Sequence, residues 1–353
     1  MNCSLALENW TMALIVLGAG ATRGASFVDG GSGCLPPLDG DFFTQLQRVS
    51  NPKRKGTIDR VLEDVVKLFG HNFSVTLETM FTTIEHTLRV VNATKEVAGW
   101  RKRDLEAMRT RLKQAIAAVL EESLTAGGRD HRECEHHKAL VTRLAKKDTV
   151  VSFNYDCLID AMLQQHGTGK WNARYGYGLP MPKGKGSHIT GEQRWTPGNA
   201  EVPSRSGTAR LLKLHSSIHF HAESQDRFTL KERPYTRQNG NLRFEIIPPE
   251  WNKHFDEGVF RKLWCLARDD IHKASTIVVI GYSFPLTDLH TSALFRVSVG
   301  KGKLKRLVIV NPDPAARRRT RDVLLRGFAK GTRVLVFDSF KDFSKADRGL
   351  WDA

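Results

Sequence analysis

Cysteine is scarce in this chain and poorly placed to build structure. Five cysteines (Cys3, Cys34, Cys134, Cys157, Cys265) are scattered over 353 residues. The number is odd and no C-x-x-C pair occurs, which excludes a zinc ribbon and favours reduced thiols over a disulfide frame. His131-x-x-Cys134-x-His136-His137 lies in a charged linker without a paired half, so no metal site is expected. No run approaches the ~18 apolar residues of a membrane span, and mean hydropathy is −0.36. The N-terminus has no basic region before its short apolar run and no small-residue cleavage site. A signal peptide is therefore not expected, and a cytoplasmic location is. There is no G-x-S-x-G elbow, no internal repeat and no long low-complexity segment. The stretch "KGKGSH" (Lys183–His188) lacks phosphate-loop spacing.

Charge, by contrast, is abundant and one-sided. The formal net charge is +16 and the pI about 9.8. Such an excess fits DNA or another polyanion, an acidic protein partner, or a plainly solvated surface. The basic groups are Lys53-Arg54-Lys55, Arg101-Lys102-Arg103, Lys301 to Arg306, and Arg317-Arg318-Arg319 with Arg321. No aromatic residues interleave with them, so a base-stacking platform is not indicated.

Short apolar runs punctuate the chain. Ala13–Leu17, Thr149–Phe153, Thr276–Ile280, Leu307–Val310 and Val334–Phe337 read as buried strands, and Arg210–Leu214 and Phe244–Ile247 as extended segments. Polar or helical stretches separate them, which is the pattern of βα units and a parallel sheet. From Ile58 to about Ala126 the period turns helical, with Leu105, Met108, Leu112, Ile116 and Val119 on one stripe. This predicts roughly three helices, followed by a short one over Lys138–Ala145. The domain reading is a catalytic unit from 1–50 and 146–353, a helical insertion over 51–145, and an irregular insertion over 165–207.

Five strand ends carry chemistry. "VLGAGATRG" places Gly18, Gly20 and Gly24 directly after a strand, where glycine permits a sharp turn and close approach to a pyrophosphate. A tight strand–helix turn explains the same residues, and Arg23 is either a phosphate cation or solvated. "SFNYD" puts Asn154 and Asp156 at a carboxyl strand end. Asn154 can donate and accept at once, as a ribose diol or a positioned water requires, while Asp156 equally fits a helix N-cap. "LLKLHSSIHF" puts His215 at another strand end, either as a proton acceptor or as a satisfied edge histidine. The alternation of His219 and His221 suits an exposed strand. "IVVIGYSFPLTDLH" and "LVIVNPDP" add Gly281, Ser283, Asp288, Asn311 and Asp313 at the same expected sheet edge.

In this order, "GAGATRG", "LPPLDGDFF", "SFNYD", "KLHSSIHF", "GYSFPLTD" and "VNPDP" resemble the sirtuin-like family, most closely its bacterial NAD-consuming antiphage branch. The resemblance covers residues 12–45 and 148–312. It implies an α/β, Rossmann-like, mostly parallel sheet with helices on both faces, an all-helical insertion and no zinc ribbon. It also implies NAD as substrate. Gly18, Ala19, Gly20 and Thr22 would wrap the pyrophosphate, and Phe42 of Asp41-Phe42 would shield the nicotinamide. Asn154 would hold the ribose or the attacking water, with Asp156 in the same element and Phe153 where glutamine often sits. His215 matches the catalytic histidine, with Ser216 where the family usually has glycine. Gly281, Ser283 and Asn311 match the adenosine side. The four-cysteine zinc module of the deacylases is missing, and members without it tend to hydrolyse NAD outright.

The implied activity is NAD⁺ hydrolysis to ADP-ribose and nicotinamide, by Asn154 and His215, for NAD depletion during phage infection. A homo-oligomer and a HerA-like ATPase partner are the implied assemblies, with the helical block as the assembly surface. Two other readings stand beside it. One is a nucleic-acid-binding or scaffold subunit whose NAD pocket is regulatory. The other is an NAD-dependent deacylase.

Overall fold

In the computed structural model the short apolar runs become strands of one six-stranded sheet. The structure describes residues 12–28, 33–71, 74–94, 99–126, 130–179, 192–195, 207–224, 227–231 and 258–346. In chain order the strands are β1 (Ala13–Leu17), β2 (Thr149–Ser152), β3 (Arg210–Lys213), β4 (Thr276–Ile280), β5 (Leu304–Val310) and β6 (Phe328–Phe337). Their spatial order is β3-β2-β1-β4-β5-β6, and every pairing is parallel. This is the doubly wound order of Rossmann-like sheets, whose direction of winding reverses between β1 and β4. β1, β2 and β4 are buried along their whole length. That is why they read as continuous apolar runs and not as alternating ones.

Right-handed crossovers in the two directions place helices on both faces. α6 (Glu135–Arg143), α7 (Leu158–His166) and α12 (Phe340–Lys345) form one contacting group. α9 (Gly258–Lys273), α10 (Leu289–Ser298) and α11 (Pro314–Leu324) form the other. Between β1 and β2 the chain also forms α1 (Ala19–Arg23), α2 (Phe42–Gln47), α3 (Lys55–Phe69), α4 (Leu77–Thr94) and α5 (Lys102–Leu124). The predicted stripe of Leu105, Met108, Leu112, Ile116 and Val119 is the buried face of α5.

Packing sets the limits of the helical block differently from the 51–145 expected. Phe42, Phe43 and Leu46 of α2 belong to its core, whereas Leu140 and Val141 of α6, with Cys134 just before it, belong to the core of the sheet. Arg54, expected on the surface, is buried and paired with Glu121. Arg111 grips Asp64 through two bonds of 2.7 and 2.9 Å. The block sits against the carboxyl rim of the sheet. Cys157 and Ile218, from the loops after β2 and β3, join its core. Thr287, from the loop after β4, donates to Glu78 Oε2 at 2.6 Å.

The 165–207 stretch, expected to be irregular, holds a short helix α8 (Ala173–Gly176) capped by Asn172. It also holds a strand, Glu192–Trp195, in a small antiparallel sheet with Phe220–Ser224 and Arg227–Lys231. The expected Phe244–Ile247 strand and Lys183–His188 lie outside the described residues. No helix among the described residues is long and apolar enough to cross a membrane.

The rim is knitted by backbone bonds from the first residue beyond each strand to its neighbour. Leu214 donates to Ser152, Phe153 to Leu17, Gly18 to Ile280, Gly281 to Val310, and Asn311 to Phe337, all at 2.9–3.1 Å. At the reversal point two turns touch backbone to backbone, and Gly20 donates to Gly281 at 3.0 Å. A Cβ on Gly281 would lie 2.1 Å from Ala21 N, and its φ is +62°. Replacing Gly281 by Ala combines a left-handed penalty of ~1–2 kcal/mol with an overpacking penalty of ~1–3 kcal/mol. Urea unfolding of Gly281→Ala should show a loss of about 3 kcal/mol. An unchanged midpoint would show that the two turns are not locked together.

Candidate functional site

Asn154 stands just past β2, and three bonds determine its orientation. Its Nδ2 donates to Gly18 O at 3.0 Å and to Thr22 Oγ1 at 3.0 Å. Thr22 Oγ1 in turn donates to Asp156 Oδ2 at 2.8 Å. A carbonyl acceptor requires the NH2 group, so Oδ1 must be the other atom. That Oδ1 is buried and has no hydrogen-bond donor among the described residues, in a residue only 7 % exposed. A buried acceptor without a donor is rare and costs about 1–3 kcal/mol, so it marks a place for a ligand or an ordered water.

His215 occupies the matching position on the adjacent strand. Ser152 pairs in register with Lys213, so Asn154 and His215 each lie two residues beyond the last rung. Phe153 packs between the neighbouring groups, stacked on Tyr282 at 4.4 Å and edge-on to His215 at 4.8 Å. His215 Nε2 lies 3.4 Å from Asp288 Oδ2. Tyr282 donates to the same oxygen at 2.6 Å, and Thr291 N donates to Oδ1 at 3.3 Å, so Asp288 also caps α10. Burial and Asp288 push the Tyr282 phenol well up, which keeps it a neutral donor. A carboxylate so held orients the imidazole and stabilises its protonated form, as in general-base catalysis.

The remaining predicted residues divide sharply. Gly18, Gly20, Thr22, Asn154, Asp156 and Gly281 form one cluster at the reversal point. The amides of Gly18 and Gly20, expected to face a pyrophosphate, are spent on Ile280 O and Gly281 O. These glycines therefore serve close backbone approach. Asp156 is not the N-cap of α7. Cys157 takes that place, and Asp156 Oδ1 accepts from Leu158 N at 2.9 Å. Asp288, grouped by sequence with the cofactor residues, is instead the partner of His215. Ser283 offers its carbonyl to Arg319 Nε at 2.9 Å. Asn311 Oδ1 accepts from Asp313 N at 2.9 Å, and Asp313 caps α11.

Arg23 and Asp41 bind one another, and Arg23 also donates to Pro36 O. Arg23 is thus an anchor for the 36–41 loop. Phe42 is fully buried in the helical core, edge-on to Phe43 at 5.2 Å. Its ring presents no surface with which to shield a nicotinamide.

Beneath the rim lies a polar network that sequence reasoning missed. Lys213 is fully buried in β3. Its ammonium donates to the carbonyl of Asp156 and to Asp160 Oδ2, the latter at 3.1 Å. Tyr177 donates to Asp160 Oδ1 at 2.8 Å. Cys157 Sγ lies 3.0 Å from His219 Nδ1, whose Nε2 is 3.5 Å from Asp160. His219, expected on an exposed strand, is therefore buried. The side chain of His221 lies outside the described residues. The Cys157–His219–Asp160 order mimics a nucleophilic triad, but burial and then Asp160 push the thiol far up, so it stays protonated and inert. The 131–137 motif is also divided. Cys134 bonds His137 at 3.1 Å, and His136 meets Ser344 at 3.0 Å. Burial opposes ionisation of Cys134, yet bonding to His137 brings it down to about 6. Among the described residues no cluster of three or more His, Cys, Asp or Glu could hold a metal.

No protein-family model matches the chain, and no curated protein is found to be similar to it.

Two measurements follow. Ser216, directly after His215, has φ +69° and is fully buried. Glycine is at home there and alanine is not, so Ser216→Gly should exceed Ser216→Ala in stability by about 1 kcal/mol. Equal stabilities would deny the strained turn.

The second concerns Lys213. Burial opposes ionisation of Asp160, but Lys213, then His219 and Tyr177, outweigh it and hold the carboxyl below its ordinary 3.8. Burial likewise disfavours the Lys213 charge, and Asp160 outweighs it, raising the ammonium above 10.5. Their stabilisation is complete between those ordinary values. It fades as pH falls through the lowered carboxyl value or rises through the raised ammonium value. Lys213→Met should cost about 3–5 kcal/mol at neutral pH, whereas Lys213→Met with Asp160→Leu should recover most of it. A double variant as unstable as the single one would contradict the pairing.

Proposed function

We propose that the chain is an NAD⁺ glycohydrolase, acting at the rim between β2, β3 and β4. The observation that carries this reading is the buried, donor-less Oδ1 of Asn154, beside an imidazole backed by a carboxylate. A ribose hydroxyl or the attacking water supplies the donor that Oδ1 requires. Breaking the nicotinamide–ribose bond develops positive charge at C1′, and nicotinamide departs as a neutral ring, so little acid catalysis is needed. Water adds to C1′ and its proton passes to His215, which Asp288 orients. The balance is NAD⁺ and water to ADP-ribose, nicotinamide and a proton. Positioning of the reactants and one general base each supply part of the rate, the base typically about 10²–10⁴-fold.

Phe153 and Tyr282 give the site an apolar wall, and the helical block closes over the rim from above. The fit to the dinucleotide is specific in one respect and amended in another. Asn154 suits the nicotinamide ribose. The glycine turn offers little to the pyrophosphate beyond closeness, so charge there falls to cations such as Arg319 on the adenosine side. The resemblance to NAD-consuming antiphage proteins supports a role in NAD depletion. It also supports control by assembly, with further copies of the chain or a HerA-like ATPase. The four-cysteine module of the deacylases is missing from this sequence, which favours hydrolysis over deacylation.

Purified protein incubated with NAD⁺ should release nicotinamide and ADP-ribose in equal amounts. Asn154→Ala and His215→Ala should each lower the rate by about 10²-fold or more. Asp288→Asn should lower it less, chiefly in kcat. Full turnover by both Asn154→Ala and His215→Ala would remove the pair from the mechanism.

A further inference from the structure

The positive charge is not spread evenly. Residues 296–345 contain fourteen Lys and Arg against four Asp, a net of +10 out of the chain's +16. In a parallel sheet every strand begins at the same end, so residues that precede strands converge there however far apart they are in sequence. Lys301 and Lys303 lie in the turn into β5, and Lys305 starts that strand. Arg326 lies in the turn into β6, and Gly302 N donates to its carbonyl at 3.2 Å. Lys330 and Arg333 follow within β6, with Arg333 facing Arg306 across the ladder. Lys273 ends α9 just before β4, and Ser275 O accepts from Lys305 N at 2.8 Å. Lys146 precedes β2. The result is a basic band along the amino-terminal edge of the sheet, opposite the candidate site.

Two features set this band apart from an ordinary solvated surface. The ion pairs within 296–345, Arg317–Asp338 and Arg319–Asp313, involve arginines near the start of α11, towards the other end of the sheet. Among the described residues Lys301, Lys303, Lys305, Arg326, Lys330 and Arg333 meet no carboxylate, and all are exposed. Helix dipoles favour cations at the carboxyl ends of α10 and α11, which accounts for Arg296 and Arg321 but not for lysines in strand-leading turns. Like charges gathered without counter-charges destabilise a fold, so such a gathering points to an external anion.

We infer that this band binds the phosphate backbone of duplex nucleic acid. From β2 to β6 the band crosses four strand spacings, about 19–20 Å. A duplex presents roughly one charge per 1.7 Å of axis, so about a dozen phosphate charges pass along that length. A row of cations at strand spacing matches a linear polyanion better than the discrete carboxylates of a folded protein. None of the exposed large apolar side chains of the described residues is aromatic. Stacking on unpaired bases is therefore not served, and binding is to backbone without sequence choice.

The test is fluorescence anisotropy with a labelled 20-bp DNA duplex over a series of salt concentrations. The observed log affinity should fall linearly with log salt. The variant Lys301→Glu, Lys305→Glu, Lys330→Glu should lose at least about 10-fold in affinity and flatten the slope by about 2–3. A control of equal charge change near the other end, Arg318→Glu, Lys341→Glu, Lys345→Glu, should change affinity by less than about 2-fold, and thermal melting should show both variants folded. No binding at low salt, equal losses in the two variants, or binding to phosphatidylserine vesicles in preference to DNA would each overturn the inference. The band is remote from Asn154 and His215, so its failure would leave the proposed hydrolysis untouched.

Discussion

The contact between two backbone turns at the reversal point of the sheet underlies the rest of the structure. Gly18 and Gly20 follow β1, Gly281 follows β4, and these turns meet with no side chain between them. Because the turns touch, the two halves of the doubly wound sheet share one rim. Asn154 can then reach across to Gly18 O from one half, while Asp288 reaches His215 from the other. The candidate site is thus a consequence of how closely two peptide chains can pass when neither carries a Cβ.

Lys213 provides the second constraint. Its buried ammonium holds the carbonyl of Asp156, in the loop that carries Asn154, and it lies two residues before His215. One charge therefore fixes two loops relative to each other. A buried pair of this kind contributes little net stability compared with apolar residues of the same size. Its value lies in geometry: it specifies one arrangement of the rim at the expense of tolerance to substitution. The thiol of Cys157 and the phenol of Tyr177 are held neutral by the same surroundings and complete the network without adding reactivity.

Much of the fold was legible because burial on both faces leaves an unmistakable trace. The short runs Ala13–Leu17, Thr149–Phe153 and Thr276–Ile280 read as interior strands, and their separation by helical stretches implied parallel pairing. The order of strands was not legible, since it depends on which side each crossover takes. Asn154 and His215 stood out as candidates because each directly follows an apolar run, and both lie at the rim. The glycines were found too, but for a role they do not show here. Phosphate approach and backbone approach both require a missing Cβ, and sequence cannot separate them. His219 misled because H-x-H alternation is a local pattern, whereas its burial comes from Asp160 and Cys157. The lysine inside RLLKLH was a readable signal of a buried counter-charge, though many acids could have supplied it. The basic groups looked dispersed until the parallel sheet brought the starts of its strands together.

The central claim is that the unpaired oxygen of Asn154 receives a ribose hydroxyl. Isothermal titration with ADP-ribose addresses it without depending on turnover. The wild-type chain should bind, Asn154→Ala should bind at least about 10-fold more weakly, equivalent to 1.4 kcal/mol, and Arg318→Glu on the outer surface should bind as the wild type does. Equal affinity in the wild type and Asn154→Ala would contradict the account.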